Sequence, residues 1–277
     1  MKWKGRAQSG NIEDRRGLSG KKLVAGGTVG TLVIVVIVYL LGGDPSSVIN
    51  TLQSPGTEQI ADSAVIRAEE ELAGFASVVL KDTEDIWHML FRENGETYRE
   101  PTLVLFSGSV ESACGYSGSA TGPFYCPGDE KVYIDLTFLQ ELQERLGATG
   151  DFAMAYIIAH EVGHHVQKQL GITDKLNRLR GRVDEVEYNK NLVKLELQAD
   201  FLAGIWAHYA EKTKDILEEG DIEEAFNAAT AVGDDRIQMQ SQGYVVPDAF
   251  THGTSEQRRD AFLLGYRTGD LNERDAF

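Results

Sequence analysis

One stretch of the chain, residues 23–41, is predominantly apolar and holds 19 residues without a charge. About 20 such residues cross the hydrocarbon core of a bilayer as a helix. Residues 42–57, which follow, contain Pro, Ser and Gly and are typical of a linker. The pattern predicts a transmembrane helix at 23–41, a linker at 42–57 and a folded domain over 58–277. A core helix inside a soluble protein is the alternative interpretation of the apolar stretch.

The pattern after residue 57 predicts a domain that mixes helices and strands. Apolar residues recur at helical spacing from Glu58 to Phe91, and Asn94-Gly95 is a turn signal that ends this helix. Strand-like runs follow at Thr102–Phe106, Val110–Cys114 and Lys131–Asp135. Further helical patterns occupy residues 151–170, 191–210 and 255–266. We therefore expect an α+β fold that is mainly helical, with a small and mostly antiparallel sheet.

Charge is distributed unevenly along the chain. Residues 1–22 contain seven Lys or Arg and two acidic residues, so their net charge of +5 contrasts with −21 for the rest. An acidic domain argues against nucleic acid as a partner. Basic residues just before an apolar segment favour a cytoplasmic N-terminus, so we expect a basic cytoplasmic tail, one pass through the membrane lipid, and the domain on the other side. Gly26 and Gly30 form a small-xxx-small pair that favours a homo-oligomer through this helix.

The segment with the clearest chemistry is His160-Glu161-Val162-Gly163-His164, which follows the apolar run 152–158. On a helix, His160 and His164 are one turn apart and project from the same face. Two neutral imidazoles in this arrangement can bind Zn²⁺, and Glu161 can accept a proton from water that the metal activates. A surface helix with two solvated histidines is the alternative, but it fits poorly with the apolar run, which predicts burial.

A catalytic zinc site usually has three protein ligands and one open position. A third histidine ten positions after the first is excluded, because Leu170 stands there. Glu196 and Asp200 lie one turn apart in an apolar helical segment, where acidic residues are unfavourable unless they pair with a cation or a metal. We therefore expect Glu196 to be the third ligand and Asp200 to accept the other ring N–H of a ligating histidine. Rival third ligands are Asp184, Glu185 and Glu187, whose charged surroundings indicate a solvated helix face.

Cys114 and Cys126 are the only cysteines of the chain. Two cysteines in a domain that faces outward suggest one disulfide, which would close the Gly- and Ser-rich loop before residues 122–125.

A loop at Tyr244–Thr254 contains His252. This histidine could stabilise the oxyanion that forms when water attacks a carbonyl, and we include it as a candidate catalytic residue. A loop histidine without a catalytic role is an equally open interpretation.

Several motifs of the chain resemble the bacterial family of neutral zinc metallopeptidases. They are HEVGHHVQKQLG, ELQADFLAGIWA, CGYSGSATGPFYCPGD, THGTSEQRRDAFLLGY and the opening KWKGRAQSGNIEDRRG. The resemblance implies a membrane-anchored zincin of the bacterial inner (cytoplasmic) membrane, with its catalytic domain outside the cytoplasm and a peptide or protein as substrate. It also implies that residues 124–135 form the sheet edge that binds an extended substrate.

These features predict a zinc-dependent metallopeptidase in which Glu161 is the general base. The alternative is a zinc-stabilised, membrane-tethered binding or scaffold protein without turnover. Glu161 favours the enzyme, because it ligates nothing in this scheme and is needed for chemistry alone. An intramembrane protease is disfavoured, because one segment spans the membrane and the metal helix is polar around its site.

Overall fold

The computed structural model describes residues 1–16, 58–118, 122–136, 138 and 150–277. The predicted transmembrane helix at 23–41, with Gly26 and Gly30, and the predicted linker at 42–57 lie outside these residues. Among the helices in the described ranges, none combines the length and the apolar character that a membrane crossing requires.

Helices make up most of the described structure. They are α1 (Glu58–Glu93), α2 (Asp151–Gln169), α3 (Ile172–Asn177), α4 (Glu185–Lys214), α5 (Asp221–Ala231), α6 (Asp234–Gln242) and α7 (Ser255–Thr268). Short 3₁₀ helices lie at Pro247–Ala249 and Leu271–Asp275. The strands are β1 (Ile12–Asp14), β2 (Thr102–Phe106), β3 (Ser109–Ser112), β4 (Gly115–Gly118), β5 (Phe124–Cys126) and β6 (Lys131–Asp135). The prediction of a mainly helical domain with a small amount of sheet is confirmed.

The strands form a four-stranded sheet in the order β1-β2-β6-β5 and a separate antiparallel hairpin of β3 and β4. In the sheet, β1 pairs in parallel with β2, β2 pairs in parallel with β6, and β5 pairs antiparallel with β6. The prediction of a mostly antiparallel sheet is therefore wrong. Parallel neighbours need long crossovers, and the chain provides them, because α1 lies between β1 and β2 and the hairpin lies between β2 and β6. Of residues 124–135, which were expected to form the sheet edge, β5 lies at the edge, whereas β6 is interior because strands pair with it on both sides.

Residues 1–16, which were predicted to belong to a basic cytoplasmic tail, pack on the rest of the described domain. Their strand β1 extends the sheet beside β2. Arg6 forms an ion pair of 2.7 Å with the buried Asp82 of α1, and the ring of Trp3 packs edge-on against Phe75. These residues thus contribute a strand, an ion pair and an aromatic contact to the domain.

Helix α2 lies in the core of the fold, between the sheet side and helices α4 and α5. Its residues are buried from Phe152 through Gly163, and the ring of Phe152 stacks on Trp206 of α4. The apolar run that predicts burial is therefore buried, and His160 and His164, which follow it, face α4.

Candidate metal centre

Helices α2 and α4 are in close backbone contact where both have polar residues. A Cβ atom on Gly163 would lie 3.0 Å from the carbonyl oxygen of Ala199 and 3.3 Å from its Cα. Gly163 stands between the two histidines of α2, and Ala199 stands between Glu196 and Asp200 of α4. Because the glycine has no side chain, the two backbones come close enough for the four polar side chains to meet.

Three donor atoms converge at this crossing. The Nε2 of His160 lies 3.2 Å from Oε2 of Glu196, and the Nε2 of His164 lies 3.5 Å from the same oxygen. Tetrahedral zinc, with ligands at about 2.0–2.2 Å, holds neighbouring donor atoms about 3.3 Å apart. Both the spacing and the donor types, two imidazole nitrogens and one carboxylate oxygen, therefore fit a zinc ion.

Asp200 contacts the side of the His160 ring that faces away from Glu196. Its Oδ1 lies 2.7 Å from Nδ1 of His160, and the carboxylate is fully buried. An ionised carboxylate only accepts hydrogen bonds, so Nδ1 carries the proton and donates it. In the neutral ring, this contact leaves the lone pair of Nε2 available for a metal.

Two partners of Asp200 were not singled out by the sequence pattern. The guanidinium of Arg258 donates from Nε to Oδ2 at 2.8 Å and from Nη2 to Oδ1 at 3.0 Å, and the hydroxyl of Tyr156 donates to Oδ1. A usable signal exists in α7, where helical spacing puts Arg258 on the same buried face as Ala261 and Phe262.

Negative charge dominates the electrostatics of the three donors. Burial lowers the pKa of His160, but the carboxylates of Asp200 and Glu196 outweigh burial and raise that pKa to about 10. Burial likewise lowers the pKa of His164, and Glu196 outweighs it and raises the pKa above its usual value. Burial raises the pKa of Glu196, but the two histidines hold it well below its usual range. The negative charges of these carboxylates favour positive charge among the three side chains, either as protons on the histidines or as a metal ion.

Comparison with known proteins identifies the family. The family model described as "Putative neutral zinc metallopeptidase" matches residues 1–277. The chain belongs to this family. The resemblance drawn from its motifs is therefore confirmed, and it extends over the whole chain.

Relatives of this family member occur in distant bacteria. The uncharacterized protein YpfJ of Escherichia coli (strain K12) is 46% identical over 285 residues, which cover 100% of this chain and 99% of the relative. The uncharacterized protein Rv2575 of Mycobacterium tuberculosis (strain ATCC 25618 / H37Rv) is 37% identical over 252 residues, covering 86% of this chain and 84% of the relative. No solved structure matches the chain.

Glu161, which follows His160 in α2, is buried. Its negative charge is one of those that raise the pKa of His164, so the carboxylate acts on the three-donor group although it is not part of it. The three donors and Glu161 together provide the components of a hydrolytic metal site.

His165 connects helix α2 to the edge of the sheet. The ring is fully buried, its Nε2–H donates to the carbonyl of Arg99 at 2.7 Å, and its Nδ1 accepts from the hydroxyl of Tyr125 at 3.0 Å. Burial lowers the pKa of His165, which agrees with a neutral ring that donates on one side and accepts on the other. Tyr125 belongs to β5, so this hydrogen bond fixes the edge strand to α2.

The disulfide Cys114–Cys126 is present, so that prediction is confirmed. Cys114 follows β3 and Cys126 ends β5. The bond therefore joins the β3–β4 hairpin to the same edge strand that Tyr125 joins to α2.

His252 lies on the loop before α7. Its half-exposed ring contacts Asp234 at 3.4 Å and the hydroxyl of Thr251 at 2.9 Å. The loop packs on α4, where a Cβ atom on Gly253 would lie 3.4 Å from the side chain of Leu197, the neighbour of the third donor residue. The structure thus brings together His160, His164, Glu196 and Asp200. His252 lies on a loop beside α4, the helix that holds Glu196 and Asp200.

The rival third ligands lie at the start of α4. Asp184 is the N-cap residue of this helix, and its side chain accepts the backbone N–H of Glu187. A capping interaction accounts for an acidic residue there without a metal.

A second acidic group in the described residues consists of Asp151, Asp221 and Glu224. The amino group of Met1 donates to Asp151 and Asp221. This group offers no imidazole donor, so it lacks the nitrogen ligands of the three-donor site.

Proposed function

We propose that this family member is a zinc-dependent metallopeptidase and that His160, His164 and Glu196 bind the metal. The observation that supports the proposal most strongly is the convergence of three donor atoms within 4.8 Å of one another, with both histidine nitrogens at 3.2 and 3.5 Å from one oxygen of Glu196. The donor set leaves a fourth position for water or substrate, which distinguishes catalytic from purely structural zinc sites.

The protein groups around this position have distinct tasks in the proposed reaction. Zinc supplies Lewis-acid chemistry that activates water and polarises a peptide carbonyl. Glu161 accepts the proton of the attacking water and delivers it to the leaving amine nitrogen. Asp200 holds His160 in the tautomer that has a free Nε2. His252 is proposed as a donor to the oxyanion, because its neighbour Gly253 packs on Leu197, the residue that follows Glu196 in α4.

A peptide or protein is the proposed substrate, and the edge strand β5 is its proposed binding site. An exposed sheet edge binds an extended peptide through backbone hydrogen bonds. β5 is an edge of the sheet, and Tyr125 and His165 fix its distance from α2. The strand is therefore both available for pairing and held at a defined place relative to the metal helix.

The proposed location is the bacterial inner membrane, with attachment through residues 23–41 and a domain outside the cytoplasm. The Cys114–Cys126 disulfide supports this side, because disulfides persist in oxidising compartments. Residues 1–16 pack on the domain through β1, so a tail in the cytoplasm would have to leave the sheet. One crossing of the membrane by residues 23–41 would separate residues 1–16 from the domain, so the single-pass arrangement with a cytoplasmic tail does not agree with this pairing. The proposal accordingly assigns residues 1–16 to the same side as the domain and residues 23–41 to an attachment whose two ends lie on that side.

The full-length protein tests the function directly. Metal analysis should find about one zinc per chain, as a single three-ligand site requires. A diverse peptide mixture, with product termini read by mass spectrometry, should show cleavage that a chelator abolishes and added zinc restores. Absence of zinc would contradict the proposal, and bound zinc without any cleavage would favour the scaffold alternative.

A further inference from the structure

We propose that Arg258 is a positioning residue of the metal centre: it orients the carboxylate of Asp200, and thereby the ring of His160, so that Nε2 faces the metal. Arg258 belongs to α7, a helix that supplies none of the three donor atoms. The inference rests on the proposed function and adds a third helix, α7, to the two that hold the donor residues.

The hydrogen bonds of Asp200 give the first argument. Its Oδ1 accepts from Nδ1 of His160 at 2.7 Å, from Nη2 of Arg258 at 3.0 Å and from the hydroxyl of Tyr156. Its Oδ2 accepts from Nε of Arg258 at 2.8 Å. Among these three partners, Arg258 is the one that contacts both oxygens. Two bonds from a planar guanidinium fix the plane of a carboxylate, which single bonds to one oxygen do not.

The packing of α7 gives the second argument. A Cβ atom on Gly265 of α7 would lie 2.1 Å from the carbonyl oxygen of Phe201, and one on Gly204 of α4 would lie 2.1 Å from that of Phe262. These paired close approaches join the two helix backbones directly. The arginine on α7 and the aspartate on α4 are therefore held in a fixed relation by the backbones as well as by their side chains.

Burial gives the third argument. Arg258 is 4% exposed and Asp200 is fully buried. Without the guanidinium, the carboxylate would lose its cationic partner and a donor to each oxygen in a site that water does not reach. Its remaining contacts, with His160 and Tyr156, both involve Oδ1, so the carboxylate could rotate and the histidine ring with it.

Three variants of the full chain separate this role from general stabilisation. R258M removes both the positive charge and the two N–H donors that bond the carboxylate of Asp200. R258K keeps a positive charge but cannot donate to both carboxylate oxygens from one planar group. R259M is the control. Arg259 is the next residue along α7 and pairs with Asp260 on the partly exposed face. Zinc affinity is measured by competition with a chelator, together with the unfolding temperature. We expect R258M to lose about 10–100-fold in zinc affinity, the range typical for partners of metal ligands, R258K to lose less, and R259M to match the wild type.

A double-variant cycle tests whether the arginine acts through the aspartate. In the D200N background, the addition of R258M should lower zinc affinity far less than it does in the wild type, because the two residues form one unit. An equal loss in both backgrounds would overturn the inference. Wild-type zinc affinity in R258M would also overturn the inference. If R258M does not fold, wild-type zinc affinity in R258K would overturn it instead. A wild-type chain that binds no zinc would overturn the proposed function and this inference together, whereas zinc binding that is equal in all variants would overturn this inference alone.

Discussion

Gly163 and Ala199 are in backbone contact at the crossing of α2 and α4, and this contact sets the distance between the donor atoms. A Cβ atom on the glycine would lie 3.0 Å from the carbonyl oxygen of Ala199, closer than side-chain carbons ordinarily approach backbone oxygens. Each residue stands between two polar residues of the site, so any separation of the helices here moves Glu196 away from both histidines.

Gly163→Ala should therefore weaken zinc binding. The added methyl group requires α4 to move by a few tenths of an ångström, and overpacking of this kind typically destabilises by about 1–3 kcal/mol. The gain in helix propensity over glycine is about 1 kcal/mol, so a net loss of stability and a lower zinc affinity are expected. Chelator competition and thermal unfolding measure both quantities. Gly10→Ala is the control, because a Cβ atom there meets nothing within 4 Å. Equal zinc affinity in the two variants would show that α4 accommodates the added methyl group without displacing the carboxylate of Glu196.

Substitution of the donors tests the ligand set. His160→Ala and Glu196→Gln should each deplete zinc in the purified protein, since each removes one of three ligands. Asp184→Asn and Glu187→Gln should retain about one zinc per chain, because the former residue caps α4 and the latter lies beside it at the helix start. Full zinc retention by the Glu196 variant would assign the third ligand to another residue.

The sequence predicted these donors because their arrangement is local. Two histidines at helical spacing share a face whatever the rest of the chain does, and an acidic residue in an apolar helix needs a cation wherever that helix packs. The strands at 102–106 and 131–135 were predictable for the same reason, since each is a short apolar run between turn signals.

Features that depend on distant partners were not predictable. The strand β1 has three residues, too few for an alternating pattern, and it pairs with β2 about 90 residues later. The parallel direction of that pair follows from the crossover, which a strand pattern does not contain. Arg258 lies in the charged sequence SEQRRD, where composition suggests a solvated helix end. Its spacing to Ala261 and Phe262 indicates the buried face of α7, but no local pattern indicates that Asp200 is its partner.

The general-base role of Glu161 predicts a separation of activity from metal binding. Glu161→Gln keeps the shape of the side chain and removes the base, so zinc content and unfolding temperature should hardly change. Peptide hydrolysis should fall by at least about 10²-fold, as is typical for loss of general acid–base catalysis. Glu185→Gln on the exposed start of α4 is the matched control and should cleave like the wild type. Equal cleavage by the Glu161 variant would exclude this residue as the base.

The docking of residues 1–16 predicts that these residues and the domain share one side of the membrane. The chain has no free cysteine, so single cysteines can report accessibility at Lys4 and at Arg182, both exposed. In bacteria with an opened outer membrane, a thiol reagent that cannot cross the inner membrane should label both positions. If Arg182→Cys is labelled in these cells and Lys4→Cys is labelled only after the inner membrane is lysed, residues 1–16 are cytoplasmic and the single-crossing arrangement is correct.

The hydrogen bond between Tyr125 and His165 predicts that substrate binding and metal binding can be separated. Tyr125→Phe removes the donor to a fully buried ring nitrogen, and an unsatisfied buried acceptor typically destabilises by about 1–3 kcal/mol. The edge strand β5 should then be held less firmly against α2, so KM for a cleavable peptide should rise several-fold while zinc affinity stays at the wild-type value. Tyr116→Phe is the matched control, because this tyrosine is 76% exposed on the hairpin. An unchanged KM in the Tyr125 variant would argue that the substrate does not bind along β5.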